Sequence, residues 1–127
     1  MTSIHGAIRA LLVADTAVAA LVSTRIYPHH MPLEATLPAI TIHEISGPED
    51  AITGHGYPRF QISCWSLTFE QVQNMKKAVK DCLNRYKGIA SGNHIKQITF
   101  MGSLDDYDPE SRIYHIPLDF QVIHYTT

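Results

Sequence analysis

The sequence predicts an α+β domain in which a mainly antiparallel sheet of about four strands packs against one long helix and an N-terminal helix. Two observations favour this class. Apolar residues recur at helical spacing near the N-terminus and again over residues 68 to 86. Four other runs alternate apolar and polar residues, as strands do. The resulting order is α-β-β-α-β-β. Packing the helices on one face of an antiparallel sheet buries the apolar residues of both helices and strands in one core.

The first elements are two consecutive helical segments. Ser3 is expected to cap a helix whose apolar residues share one face, namely Ile4, Ile8, Leu11 and Leu12. A second short turn is expected to begin at Asp15 or Thr16 and to present three residues to the same core, Val18, Leu21 and Val22. Prolines at positions 28, 32 and 38 then force the chain into an extended path.

The first two strands are predicted on either side of a long loop. Residues 39 to 45 alternate, with Ile40 and Ile42 on one face. Residues 46 to 57 hold three glycines and a proline, and a connection of that length is more often functional or mobile than a simple hairpin turn. The run from Arg59 to Leu67 alternates again, and Trp65 on its second face indicates a strand sheltered on both sides.

The clearest helix begins at a capping box formed by Thr68 and Gln71. Its apolar residues mark one stripe, Val72, Met75, Val79, Cys82, Leu83 and Tyr86. Its opposite face is basic, with Lys76, Lys77, Lys80 and Arg85. Gly88 and Gly92 are expected to end it.

Two further strands follow, separated by an acidic loop. Residues 94 to 101 form the first, and residues 112 to 125 form the last and longest. The loop between them, residues 103 to 111, carries Asp105, Asp106, Asp108 and Glu110 and no base. Pro117 cannot donate a ladder hydrogen bond, so a bulge or an edge position is expected there.

Composition limits the functional classes. The 127 residues suit a single domain, residues 1–127, and charged residues make up only 17% of it against about 25% in typical domains. A net charge of −2 disfavours a general nucleic-acid binder. Two cysteines cannot build a disulfide framework. Asp15 interrupts the one signal-like segment, and no apolar run reaches the length of a membrane span, so we expect a soluble protein made in the cytoplasm.

The residues that bear chemistry form no recognisable catalytic or metal-binding set. Eight histidines invite a metal site, and His43, His115 and His124 are close enough on neighbouring predicted strands to be considered, but no ligand spacing supports one. Cys64 could act as a nucleophile, although a mid-strand cysteine is usually a small hydrophobe. The acidic loop lacks the spacing of a calcium loop. We therefore expect no enzyme activity, catalytic residue, metal or cofactor.

The chain as a whole resembles the tail-completion, or tail-terminator, family of long-tailed bacteriophages and prophages. The resemblance lies in the order and spacing of short segments, 8–12 with 15–22, 25–28, 37–40, 61–66, and 107–112 with 118–122. Seven residues within them are identified as structural motif positions, Ile26, Pro28, Pro38, Trp65, Leu118, Asp119 and Phe120. The histidine content, notably at His29 and His30, departs from the family pattern.

This resemblance implies a non-enzymatic protein of the virion tail. It implies a homo-oligomeric ring, typically a hexamer, that caps the tail tube and joins it to the head connector, while DNA passes through the lumen without specific binding. Its partners would be other copies of itself, the tail tube protein and the connector protein, with no membrane. The alternatives are a head-completion or minor tail protein with a similar subunit and, less favoured, a metal-binding enzyme that uses histidines and Cys64.

The loops at 46 to 57 and 103 to 111 are the expected docking elements, and either one is expected to face the lumen with its carboxylates. Together with residues 27 to 30, these loops hold the candidate interface residues, which are Tyr27, His29, His30, Glu49, Asp50, His55, Tyr57, Asp105, Asp106 and Asp108.

Overall fold

A computed structural model describes residues 3–32, 34–50 and 52–125, with the side chains of Glu49 and Asp50 outside the described part. The helices are α1 (Ile4–Ala14), α2 (Thr16–Val22) and α3 (Phe69–Leu83). The strands are β1 (Ile26–Pro28), β2 (Ala39–Ser46), β3 (Glu49–Asp50), β4 (His55–Gly56), β5 (Arg59–Ser66), β6 (Gly88–Ala90), β7 (Asn93–Ser103), β8 (Asp106–Asp108) and β9 (Ile113–Tyr125).

All nine strands found in the described residues belong to one sheet built around β9. One edge of β9 pairs with β5 and, near its end, with β4. Its other edge pairs with β7 and, near its beginning, with β8. Beyond β5 lie β2 and then β1, which runs parallel to β2, whereas β6 lies beyond β7 and β3 beyond β4.

The predicted fold class was wrong in the size and type of the sheet. The described part of the chain forms a mixed sheet of nine strands, not a mainly antiparallel sheet of about four, and more of its residues lie in strands than in helices. The four predicted strands are present as β2, β5, β7 and β9. The additional strands contain only two or three residues each, too few to display an alternating pattern, and they form because longer strands offer them backbone partners. Three of them, β3, β4 and β8, occupy the two predicted loops.

Helix α3 is shorter than predicted and ends at Leu83, not at residue 86. The next three residues bond to β7 instead of continuing the helix. Asn84 accepts a hydrogen bond from the Phe100 amide through Oδ1 at 3.0 Å, and Arg85 and Tyr86 exchange backbone bonds with Ile98. The tertiary contact with β7 therefore sets the end of the helix, which the apolar stripe alone did not reveal.

The predicted N-cap residues are confirmed, but the capping box of Thr68 with Gln71 is only half formed. The Ser3 side chain accepts from the Gly6 amide, Asp15 accepts from Val18, and Thr68 accepts from Gln71. Gln71 Oε1 accepts from Ser66 Oγ at 2.6 Å, and the Thr68 amide donates to the same hydroxyl. Helices α1 and α2 meet at an angle of 87°. No single described helix is long and apolar enough to cross a membrane; only the bent pair of α1 and α2 has the necessary length and composition.

The core lies between the helices and one face of the sheet. Apolar residues from α1, α2 and α3 pack there against alternate residues of the long strands. Phe60 and Phe120 are register partners at its centre, and both are fully buried. The other face of the sheet, which we call the open face, carries half-buried polar side chains from the intervening positions, including Arg59, Gln61 and Asp119.

Pro117 does not lie on an edge strand, because β9 is paired on both sides. Its carbonyl accepts from the Leu104 amide at 3.3 Å, between the last residue of β7 and the first residue of β8. In an antiparallel strand the N and C=O of one residue point to the same side. The missing N–H of Pro117 therefore faces the break between β7 and β8, where no regular ladder bond is needed.

Gly88 and Gly92 do not end the helix but belong to the hairpin of β6 and β7. Ala90 pairs with Asn93, which leaves Ser91 and Gly92 as a two-residue loop. Their φ angles are 48° and 81°, and positive φ at both positions is the signature of a type I′ turn.

The central position of β9 predicts a large difference between two leucine truncations. Leu118→Ala removes a fully buried side chain of β9, and we expect a loss of about 2 to 5 kcal/mol in the free energy of unfolding. Leu104→Ala, the matched control, truncates a side chain that is 68% exposed and should cost less than about 0.5 kcal/mol. Urea denaturation followed by circular dichroism measures both, and equal losses would contradict the assignment of the core.

Candidate functional site

An open groove of about 480 Å³ lies on the open face at the beginning of β9. Its floor is a stacked pair of rings. Trp65 of β5 and His115 of β9 are register partners, with ring centroids 3.8 Å apart and planes within 3° of parallel. The Trp65 Nε1 donates to Thr41 Oγ1 at 3.0 Å, which fixes the indole on the sheet. The other lining residues are Met31, Asp106, Tyr107, Asp108, Pro109, Ser111 and Ile113.

His115 is held against the indole with its Nε2 buried and without a hydrogen-bond partner among the described residues. Burial lowers the pKa of His115 below its ordinary value, because desolvation penalises the imidazolium, while the nearby Asp106 carboxylate opposes this effect. Burial against the indole therefore favours the neutral form of the ring.

The groove is rimmed by an exposed hairpin formed by β8 and the beginning of β9. Asp106 pairs with His115 and Asp108 pairs with Ile113, so both carboxylates lie on the side of the groove. Asp108 accepts from the Ser111 hydroxyl and from the Glu110 amide, and these bonds lower the pKa of its carboxyl. Residues 103 to 112, which we call the acidic hairpin, are all exposed.

The other side of the acidic hairpin faces α3. Asp105 accepts a hydrogen bond from Gln73 Nε2 at 3.3 Å, and Tyr107 lies 4.5 Å from the ring of Tyr114, which in turn contacts Phe69. The predicted interface residues Asp105, Asp106 and Asp108 are therefore adjacent in sequence but divided between two surfaces.

The remaining predicted interface residues lie away from the groove. Tyr27 is half-buried in β1 opposite Thr41, whereas His29 and His30 are exposed just after β1. The His29 ring contacts His30 at 5.8 Å and His43 at 4.3 Å.

The predicted docking loop at 46 to 57 lies near the opposite end of β9. His55 and Tyr57 precede the start of β5, and the His55 ring lies 4.7 Å from that of Tyr125. His94 contacts the same tyrosine, also at 4.7 Å. The side chains of Glu49 and Asp50, which were also predicted at the interface, lie outside the described part of the structure.

The seven motif positions divide between the core and the open face. Ile26, Leu118 and Phe120 are buried in the core. Asp119 lies on the open face and accepts from Arg59 and Gln61, and the Pro38 carbonyl accepts from Arg25 Nε at 2.9 Å, whereas Pro28 is exposed. Trp65 forms the groove floor.

Sequence reasoning missed His115, Met31 and Ile113 as neighbours of Trp65. No local pattern reveals them, because strand register places β9 beside Trp65 and the path of the chain after β1 places Met31 there.

The described residues do not support the metal or thiol chemistry that the sequence left open. His115 and His124 are nine positions apart on β9, a distance of about 30 Å. No three histidine, cysteine, aspartate or glutamate residues in the described ranges form a metal-binding group. Burial raises the pKa of the Cys64 thiol to about 12, so it is not a thiolate nucleophile at neutral pH. Burial, followed by the effect of Asp15, raises the pKa of the Cys82 thiol to about 12 as well.

The neutral state of His115 predicts a dependence of stability on pH. Its folded pKa is depressed, so the unfolded chain takes up the proton first, and stability falls as the pH drops below the ordinary value of about 6.5. We expect His115→Gln to lose less of its free energy of unfolding between about pH 7.5 and about pH 5.5 than the wild type. His30→Gln, which changes an exposed ring outside the stack, should retain the wild-type loss in urea titrations. If His115→Gln lost as much free energy of unfolding on acidification as the wild type, the lowered pKa of His115 would be contradicted.

Comparisons with known proteins agree on the fold and identify the family. No curated protein sequence matches the chain. A chain in a solved structure described as "Virion of native gene transfer agent (GTA) particle" is 22% identical and superposes with a TM-score of 0.81, over 97% of this chain and 95% of that chain. At that identity the likeness shows a shared fold. The family model described as tail completion protein gp17 matches residues 6–125. This chain therefore belongs to the tail completion protein gp17 family and is a structural protein of the phage virion tail.

Proposed function

We propose that the protein forms a ring of identical subunits, with six copies, that caps the tail tube and joins it to the head connector. Membership of the tail completion family supports a role at the end of the tail. The similar solved structure is that of a virion particle, which is consistent with a subunit of a larger assembly. The role is structural and requires no catalytic residue.

The observation that carries the proposal is the separation of unpaired charge within the subunit. The acidic hairpin holds four carboxylates and one base, Arg112, whereas a group of bases lies on α3 and on the segment that follows it. Two ion pairs occur among the described residues, Arg59 with Asp119 and Lys77 with Asp81, and neither involves the acidic hairpin. Opposite charges on different surfaces suit contacts between identical copies, where they fix orientation.

A closed ring also requires two different contact patches on every subunit. Exposed apolar side chains are available at separate places. Leu104 and Tyr107 lie on the acidic hairpin, Leu67 and Phe69 precede or begin α3, and Ile89 lies on the edge strand β6. Covered apolar surface surrounded by charge is typical of protein interfaces. The low charge content of the chain fits a subunit with much of its surface covered.

The sign of the charge suits a channel for DNA. Six copies would carry about −12 in total, and a negative wall lets DNA pass without binding it. Glu110 lies at the tip of the acidic hairpin, so we assign this tip to the lumen. The Glu49–Asp50 segment is the other candidate for this wall.

Particles assembled without this protein test the proposal. We expect tails of uncontrolled length, or finished tails that do not join heads, in electron micrographs, and a loss of infectious particles. Supplying the wild-type protein from a plasmid should restore both, and the core variant Leu118→Ala serves as a folding-deficient control. Regular tails joined to heads in its absence would contradict the proposal, and complete tails beside unfilled or leaking heads would indicate a head-completion protein instead.

The number of copies is a separate prediction. Averaged electron-microscopy images along the tail axis should show six-fold density at the end of the tail, and this density should be missing from particles that lack the protein. Another rotational symmetry at that position would contradict the hexamer without affecting the role of the ring.

A further inference from the structure

The hairpin formed by β6 and β7 presents an unusual exposed surface at the far end of the sheet from the groove. Ile89 and His94 are register partners, and Lys87 and Lys96 each lie one residue beyond the paired Gly88 and Ile95. These four side chains, Ile89, His94, Lys87 and Lys96, are all exposed, and Ile89 is 72% exposed. We call these four residues the basic hairpin face.

Two features of this face are unfavourable for an isolated subunit. Like charges close to each other are destabilising, and Lys87 and Lys96 flank the same register pair, Gly88 with Ile95. Neither of the two ion pairs found among the described residues includes either lysine. Lys96 is also the extra residue where the register of β7 against β9 shifts, and such bulges re-aim side chains. The face combines an exposed apolar residue with two close cations.

The groove has the complementary character. Its floor consists of apolar and aromatic side chains, Met31, Trp65 and Ile113 with the His115 ring, and its rim carries the carboxylates of Asp106 and Asp108. An isoleucine side chain fits the floor, and lysines beside it would reach the rim.

We propose that the basic hairpin face of one copy docks into the groove of the next copy in the ring. The two surfaces lie at opposite ends of β9, about 30 Å apart. The basic hairpin face of a subunit therefore cannot reach the groove of the same subunit. Each copy then uses one groove and one hairpin, which is the heterologous arrangement that a ring requires. This inference rests on the proposed ring and names the contact that closes it.

The first test is a disulfide between neighbouring copies in assembled particles. In the double variant Ile89→Cys/Ile113→Cys, oxidised tails should give a ladder of covalent oligomers on non-reducing gels, ending at the number of copies in the ring. The single variants are the controls, because native Cys64 is buried and Cys82 is half-buried. Joined, infectious particles without a ladder would overturn the contact while leaving the proposed function intact. A product that stops at two copies would also overturn it, because it indicates a two-fold pair.

The second test exchanges charge and does not depend on cysteine geometry. Asp106→Lys and Lys87→Glu should each reduce the yield of joined particles by about tenfold or more, because like charges then meet at the contact. Subunits carrying one change should accept subunits carrying the other, so co-expression of the two variants should restore the yield.

Asp105→Lys is the matched control for the charge exchange. It reverses the adjacent carboxylate, which faces α3, and should not impair joining. Failure of the mixture to recover, with both variants folded by circular dichroism, would overturn the contact. Normal, joined tails in particles assembled without this protein would instead overturn the proposed function.

Discussion

The pairing of β9 along both of its edges is the constraint on which the rest of the structure depends. Its thirteen residues bond to β5 and β4 on one side and to β7 and β8 on the other, so its side chains can only alternate between two environments. One set, which includes Leu118 and Phe120, enters the core beneath the helices. The other set places His115 and Asp119 on the open face. A shift of register by one residue would exchange these sets and destroy both the core and the groove.

This constraint also explains where the surface departs from that of an ordinary small domain. The ladder of β9 is interrupted opposite Pro117, where the chain leaves β7 before it returns as β8. The short β8 strand then holds an acidic segment in a regular hairpin, with Asp106 and Asp108 on one side and Asp105 on the other. A regular strand fixes the direction of each carboxylate far better than an irregular loop would. Charged residues are few in this chain, and the fold places the carboxylates of the acidic hairpin on two separate surfaces.

Whether an element was predicted correctly from the sequence depended on its length. Segments with several repeats of a pattern were predicted correctly: α1 with its Ser3 cap, the four long strands, and the start of α3 at Thr68. Short strands such as β1 and β8 were missed, because three residues contain less than two periods of alternation. The end of α3 was placed too late because residues 84 to 86 bond to β7, a partner distant in the sequence. The family membership was also readable, since it lies in the order of motifs along nearly the whole chain.

By itself, the sequence determined the local elements, the burial of Cys64, the uneven distribution of charge and the family to which the chain belongs. The tertiary structure alone decided that the sheet is mixed, with nine strands in the described ranges, and that Trp65 stacks on His115. It also decided that the basic hairpin face and the groove lie at opposite ends of β9. The reason is physical. Helical and strand periods are encoded by neighbouring residues, whereas strand order and register result from hydrogen bonds and packing between residues far apart in the chain. Surfaces built across strands therefore appear only once that register is known.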